Sequence, residues 1–261
     1  MSRITYQVAP PIQDLYRAFM RGFSDYIIPF TMDEASFEAR LLVRDQNQPS
    51  RSIVAYVDGE PAGVMLSGIA YSEGEWRTRC GGMAVAPECR GQGIARELMR
   101  QFDEQAQGTR VLEVIQGNRA AEQLYARLGY HVTRSISYHA SRPMETNAVF
   151  DSVPVTYAFD TLYPNRTYRP IWQCDLRVTQ QQATLFRVTE GTRQGYLLFT
   201  DTQLLDGFAT DLDVRWLLEA AAAKQPFQLA LSSDRPVWEA AAESLGFEKQ
   251  PIVQFEMERR P

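Results

Sequence analysis

Val85-Ala86-Pro87-Glu88-Cys89-Arg90-Gly91-Gln92-Gly93-Ile94-Ala95 is the stretch on which the reading of this chain turns. A β-run, Gly82 to Pro87, ends where it begins, and from Ile94 onward Ile94, Leu98, Phe102 and Ala106, with Ala95 and Met99, make one apolar helical stripe. Between them, Gly91 and Gly93 let the backbone turn without Cβ obstruction. The first amides of the helix have no intrahelical partner, so the turn offers aligned N–H donors and the positive end of a helix dipole to a pyrophosphate. Arg90 adds a charge-assisted contact. No Gly-Lys-Ser/Thr follows and the spacing is not Gly-x-Gly-x-x-Gly, which excludes a Walker loop and a dinucleotide fingerprint. A plain tight turn is the competing reading, and the context decides between them.

That context is an alternation of strands and helices. Upstream lie a short strand (Ile4 to Val8), helical stretches from Pro11 and over Ser36 to Leu42, and a hairpin, Ser52 to Ile69, turning at Asp58-Gly59. Downstream, strand Val111 to Ile115 ends in Gln116-Gly117-Asn118. A helix with Ala121, Leu124, Tyr125 and Leu128 on one face then closes on Gly129, and His131 to Tyr138 reads as a last strand.

Arg90-Gly91-Gln92-Gly93-Ile94-Ala95 resembles the Arg/Gln-x-x-Gly-x-Gly/Ala signature of the GNAT superfamily of acyl-CoA-dependent N-acetyltransferases. About twenty residues on, Leu112-Glu113-Val114, Asn118, Ala121, Leu124-Tyr125 and Gly129-Tyr130 are similar to its second motif. The resemblance implies an α/β (α+β) fold, a mixed, mostly antiparallel twisted sheet flanked by helices and splayed between its fourth and fifth strands. It also implies acetyl-CoA as co-substrate in the split. Its pyrophosphate would lie on the amides of Arg90, Gly91, Gln92, Gly93, Ile94 and Ala95, its pantetheine along Met83, Ala84 and Val85, with Asn118 meeting the same arm.

The catalytic candidates follow from the same resemblance. Tyr125 matches the tyrosine that protonates the departing thiolate; its other reading is an aromatic packed on its helix face. Glu113 interrupts an apolar strand, where a carboxylate is costly unless solvated or paired. With Leu112, Val114, Asn118 and Tyr125 it resembles the branch that acetylates the N-terminal amine of a ribosomal protein, in which the matching glutamate is the proposed base. Its other reading is a glutamate at the mouth of the split that tunes substrate binding. The acceptor pocket is expected from Gly22 to Phe30, where Phe23, Asp25 and Tyr26 set a carboxylate among aromatic rings, suited to a cationic amine. Two helices packing on the sheet would use the same residues. Glu73, Glu75, His139 and Cys89 are weaker candidates.

Residues 144–170, punctuated by Pro154, Pro164 and Pro170, are the expected connection between a catalytic domain, 1–143, and a second domain, 171–261. The second half repeats the first in outline. Setting Gly246-Phe247 on Gly129-Tyr130 places Leu245 on Leu128, Arg235 on Asn118 and Ala242 on Tyr125 without gaps. It has no Arg-x-x-Gly-x-Gly, and Asp206 and Asp211 would repel a pyrophosphate. The expectation is a degenerate second GNAT-like domain that completes the acceptor pocket, stabilises the first domain, or offers a homodimer surface.

Composition narrows the classes. At 44% hydrophobic and 23% charged residues the 261-residue chain can bury a core. Three cysteines and two histidines assemble neither a disulfide framework nor a zinc cluster, so reduced thiols and no metal are expected. A net charge of −5 argues against a nucleic-acid surface. No apolar run is long enough for a membrane span, and the start has no signal-like segment, which makes a cytoplasmic protein the expectation. The functional expectation is an N-acetyltransferase acting on a small-molecule amine or a peptide N-terminus by direct attack. The alternative is a non-catalytic acyl-CoA sensor.

Overall fold

The computed structural model describes residues 2–72, 74–210 and 212–261; Glu73 and Asp211, both considered above, lie outside the described residues. The first half runs β1 (Ile4–Val8), α1 (Ile12–Gly22), α2 (Glu34–Phe37) continuing as a π-helical turn (Glu38–Arg44), β2 (Ile53–Val57), β3 (Glu60–Ser72), β4 (Glu75–Val85), α3 (Ile94–Gln105), β5 (Thr109–Ile115), α4 (Arg119–Arg127) and β6 (His131–Ala140). The second runs β7 (Val149–Val153), β8 (Thr184–Glu190), β9 (Arg193–Phe199), β10 (Gln203–Phe208), α5 (Val214–Lys224), β11 (Gln228–Ser232), α6 (Pro236–Ser244) and β12 (Glu248–Arg259).

Strand alternation builds the layers. In β2, Ile53 and Ala55 face the core under α3, while Val54 faces the core under α1. Both faces of the sheet are thus covered by helices, as a strand buried on both sides requires.

The fold class is the one the sequence implies, but the two halves do not each own a sheet. All twelve strands form one, in the order β1-β2-β3-β4-β5-β12-β6-β11-β10-β9-β8-β7. The last strand, β12, lies between β5 and β6, pairing Gln254↔Ile115 through Arg259↔Arg110 on one side and Gln254↔Ile136 on the other. In return β6 pairs with β11, Leu231 opposite Ser137. Each half completes the other's sheet. The repeat holds locally: Arg235 precedes α6 as Asn118 precedes α4, and Gly246 and Gly129 both take positive φ after their helices.

The 144–170 connection contains an edge strand, β7, paired with β8. And β10, not recognised in the sequence because Asp206-Gly207 breaks its β-pattern, is a strand parallel to β11.

A ladder of buried charges locks β12 in place. Glu256 accepts from Arg134 Nε at 3.1 Å and Nη2 at 2.8 Å and also pairs with Arg169, while Glu258 pairs with Arg77 and with Arg169 at 2.6 Å. Burial by itself would push the Glu258 carboxyl up; Arg77 and Arg169 overcome this and hold it below its ordinary value. A carboxyl depressed in the folded state stabilises the fold at pH values above its unfolded pKa of about 4.3, and that stabilisation is lost as the pH falls through the folded pKa. Melting temperature should therefore drop below pH 4.5, and Glu258→Gln should flatten that part of the profile. An unchanged slope in the variant would mean that other groups carry the acid sensitivity.

Candidate active site between the fourth and fifth strands

The split begins at a bulge in β4. Between β3 and β4 the register slips, Leu66 facing Gly82 and Ser67 facing Cys80, so Gly81 bulges out. Only glycine fits there, because a Cβ would stand 1.8 Å from Asn47 Oδ1. Beyond the bulge β4 leaves β5: their parallel pairing runs from Arg77↔Thr109 to Cys80↔Leu112 and stops. A cavity of about 500 Å³ opens in the gap.

One part of the cavity wall is the expected one. Met83, Asn118, Ala121 and Tyr125 line it, with Phe23 and Tyr26 from the loop after α1. Tyr125 is 5% exposed, and among the described residues its hydroxyl has no hydrogen-bond partner. Burial, and behind it Cys80 and Tyr26, push its phenol well above the ordinary value. Asn118 caps α4, its Oδ1 accepting from the Ala121 amide at 3.4 Å.

At the far end of β4, Gly91 and Gly93 have φ of 77° and 82°, and a Cβ on either would meet nothing within 4 Å. Gly93 begins α3 without a side-chain cap, and among the described residues the amides of Gly91, Gln92, Gly93, Ile94 and Ala95 find no acceptor. An open row of donors at a helix N-terminus fits a pyrophosphate. Ala84 lies on the same strand, and the Val85 carbonyl is taken by Arg90 Nε at 3.0 Å.

Two expected site residues, Asp25 and Glu113, are held by arginines. Asp25 is absent from the cavity wall; at the surface it accepts from Arg90 Nη1 and Nη2, both at 2.7 Å, and this pair holds its carboxyl below the ordinary range. Arg90 must exchange that carboxylate to meet a phosphate. Glu113 does line the cavity, but Arg79 holds both its oxygens, Nη2 to Oε2 at 2.8 Å and Nε to Oε1 at 3.3 Å, with both side chains 5% exposed. Of the weaker candidates, Glu75 binds Arg77 and Thr109 at the other end of β4, His139 is fully buried against Ser137, and Cys89 packs in the core.

The sequence did not reveal the opposite wall. It comes from Arg40 and Arg44 on the π-helical turn, and from Gln173, Gln203, Gln228, Gln250 and Gln254 of the second half. No local motif marks these residues, and only the reciprocal strand exchange brings the glutamines to the first half's split.

The corresponding split of the second half is filled. β10 and β11 pair only at Gln203↔Gln228 and Leu204↔Leu229, then part. Into the gap come Tyr168, hydrogen-bonded to Asp206, and Arg235, which bonds Asp206 at 3.1 Å and lies 4.1 Å from the rings of Tyr168 and Trp238. About 10 Å³ of space remains. Among the described residues no cluster of His, Cys, Asp and Glu could hold a metal, and no helix is long and apolar enough to cross a membrane.

Comparison with known proteins agrees with this geometry. The family model of the acetyltransferase (GNAT) family matches residues 12–130, the stretch that holds the Gly91–Gly93 turn, Asn118 and Tyr125. The fold of the whole chain is similar to a protein from Pyrococcus horikoshii provisionally described as an acetyltransferase, at 16% identity over 100% of this chain and 89% of that one, with a TM-score of 0.66. It is also similar to a GCN5-related N-acetyltransferase from Sphaerobacter thermophilus (14% identity, 99% and 96% covered, TM-score 0.62). A tandem GNAT protein from the clavulanic acid biosynthesis pathway shares the fold as well (11% identity, 100% and 98% covered, TM-score 0.60). No curated protein matches the chain in sequence.

Proposed function

We propose that this protein is an N-acetyltransferase that moves an acetyl group from acetyl-CoA to a primary amine, a small molecule or a peptide N-terminus, with residues 1–143 catalytic. The observation that carries the reading is the unpartnered Tyr125 hydroxyl inside the gap where β4 and β5 part. Bound acetyl-CoA supplies a thioester whose carbonyl carbon an amine attacks directly, with the thiolate as leaving group.

The chain's own residues bind, exclude water and deliver a proton. The amides of Gly91 to Ala95 would hold the pyrophosphate, and Met83, Ala84 and Asn118 would hold the pantetheine. Burial keeps the proton of Tyr125 on its oxygen at neutral pH, so the acid is loaded when sulfur departs. Glu113 reaches the same cavity, but taking a proton there means breaking a buried ion pair. We therefore assign Glu113 to holding Arg79 in place, and the amine's proton to water in the cavity. The second half, with its own split filled, serves as the acceptor wall.

Calorimetric titration with acetyl-CoA, followed by thiol release on adding amines, tests the reading. Gly93→Asp should weaken binding at least tenfold, because its side chain would stand in the open space above the free amides and repel phosphate. Unchanged affinity would refute the cradle, and tight binding with no thiol release from any amine would favour the sensor reading.

A further inference from the structure

The charges on the cavity wall define the acceptor more narrowly. Three arginines line it, Arg40, Arg44 and Arg79, against two carboxylates, Asp45 and Glu113. Both carboxylates are committed: Glu113 to Arg79, and Asp45, 5% exposed, to Arg44 at 2.7 Å. The Arg40 guanidinium has no ion-pair or hydrogen-bond partner among the described residues. It stands one turn before Arg44 on the same π-helical segment, so the two guanidinium groups share a face. The rest of the acceptor wall is uncharged: five glutamines from the second half, apolar side chains such as Phe30, Ile171 and Ile252, and Tyr138, whose hydroxyl donates to Gln254 Oε1 at 2.5 Å.

A polycationic acceptor would find no free carboxylate here and one uncompensated arginine. An oxyanion finds a free guanidinium with a second beside it, the geometry that binds carboxylate and phosphate. We infer that the acceptor is an amine carrying an anionic oxygen group, a carboxylate or a phosphate, held by Arg40 and Arg44 while its polar body lies along the glutamines. This rests on the transferase reading above. It also agrees with the chemistry, because the amine must be neutral to attack, and recognition through the anion does not need its positive charge.

The test is thiol release from acetyl-CoA with four probe sets: the proteinogenic amino acids, their C-terminal amides, O-phosphoethanolamine, and ethanolamine with spermidine. The expected result is a kcat/KM about tenfold or more higher for an anionic probe than for its uncharged counterpart, the scale of one hydrogen bond to a charged group. Whether amino acids or O-phosphoethanolamine lead tells carboxylate from phosphate. Arg40→Gln should bring the ratio of acid to amide close to one, and Arg40→Glu should invert it. Because Arg40 is exposed, an unchanged melting temperature separates this from misfolding. Amides or spermidine turned over as fast as the acids, or a ratio that Arg40→Gln leaves intact, would overturn the inference and spare the transferase. No release from any probe, with acetyl-CoA binding intact, would overturn both.

Discussion

A fragment ending at Arg142 should not yield folded protein. It keeps the Gly91–Gly93 turn, Asn118 and Tyr125, yet both neighbours of β6 in the sheet, β12 and β11, come from residues beyond the cut. β5 loses its partner too, since Ile115 to Arg110 pair only with Gln254 to Arg259 on that side. The fragment would expose two strand edges next to an apolar face that includes Leu112, Val114 and Tyr130, the arrangement that aggregates. Arg77 and Arg134 would also lose their buried carboxylate partners on β12. Expression should give insoluble material, and co-expression with 143–261 should restore a soluble complex. A soluble fragment that binds acetyl-CoA as tightly as the full chain would show instead that the first half folds alone.

Tyr125→Phe should lower kcat by about two to four orders of magnitude, the range of a lost general acid, while the acetyl-CoA affinity stays within a factor of about two. The substitution removes one oxygen from a ring that is 5% exposed and keeps its packing against Tyr130, centroids 6.0 Å apart. Stability should hardly change, because among the described residues the hydroxyl bonds to nothing whose loss would leave an orphan. Stopped-flow measurement of thiol release, with calorimetry for affinity, separates the two quantities. Equal kcat would return Tyr125 to the role of a core aromatic.

These two experiments bear on different kinds of legibility. The Tyr125 site could be read from the chain because it is local: a strand end, two glycines and a helix start within eleven residues, then a strand, an Asn cap and a tyrosine seven residues later. Each piece depends on backbone geometry that near neighbours impose. The same locality made the helix and strand around Gly246 readable as a repeat of those around Gly129.

Charge pairing is not local, and there the sequence misleads. Asp25 among Phe23 and Tyr26 reads as an amine receptor, yet its partner is Arg90, sixty-five residues on. Glu113 reads as a carboxylate that must be solvated or paired, with no partner named by the sequence, and Arg79 from the adjoining strand claims both its oxygens. Which of several arginines meets which carboxylate depends on strand register across the sheet.

The sequence by itself therefore determined the family's motifs, the strand-to-helix turn with its open amides, and the presence of a second, altered copy. The tertiary structure alone decided that β12 crosses into the first half's sheet, that Tyr168 and Arg235 close the second split, and that Arg40 and the glutamines of the second half line one cavity. The physical reason is that a strand end or a helix cap is fixed by hydrogen bonds within a few residues, whereas an unpaired strand edge takes whatever partner the whole chain brings to it.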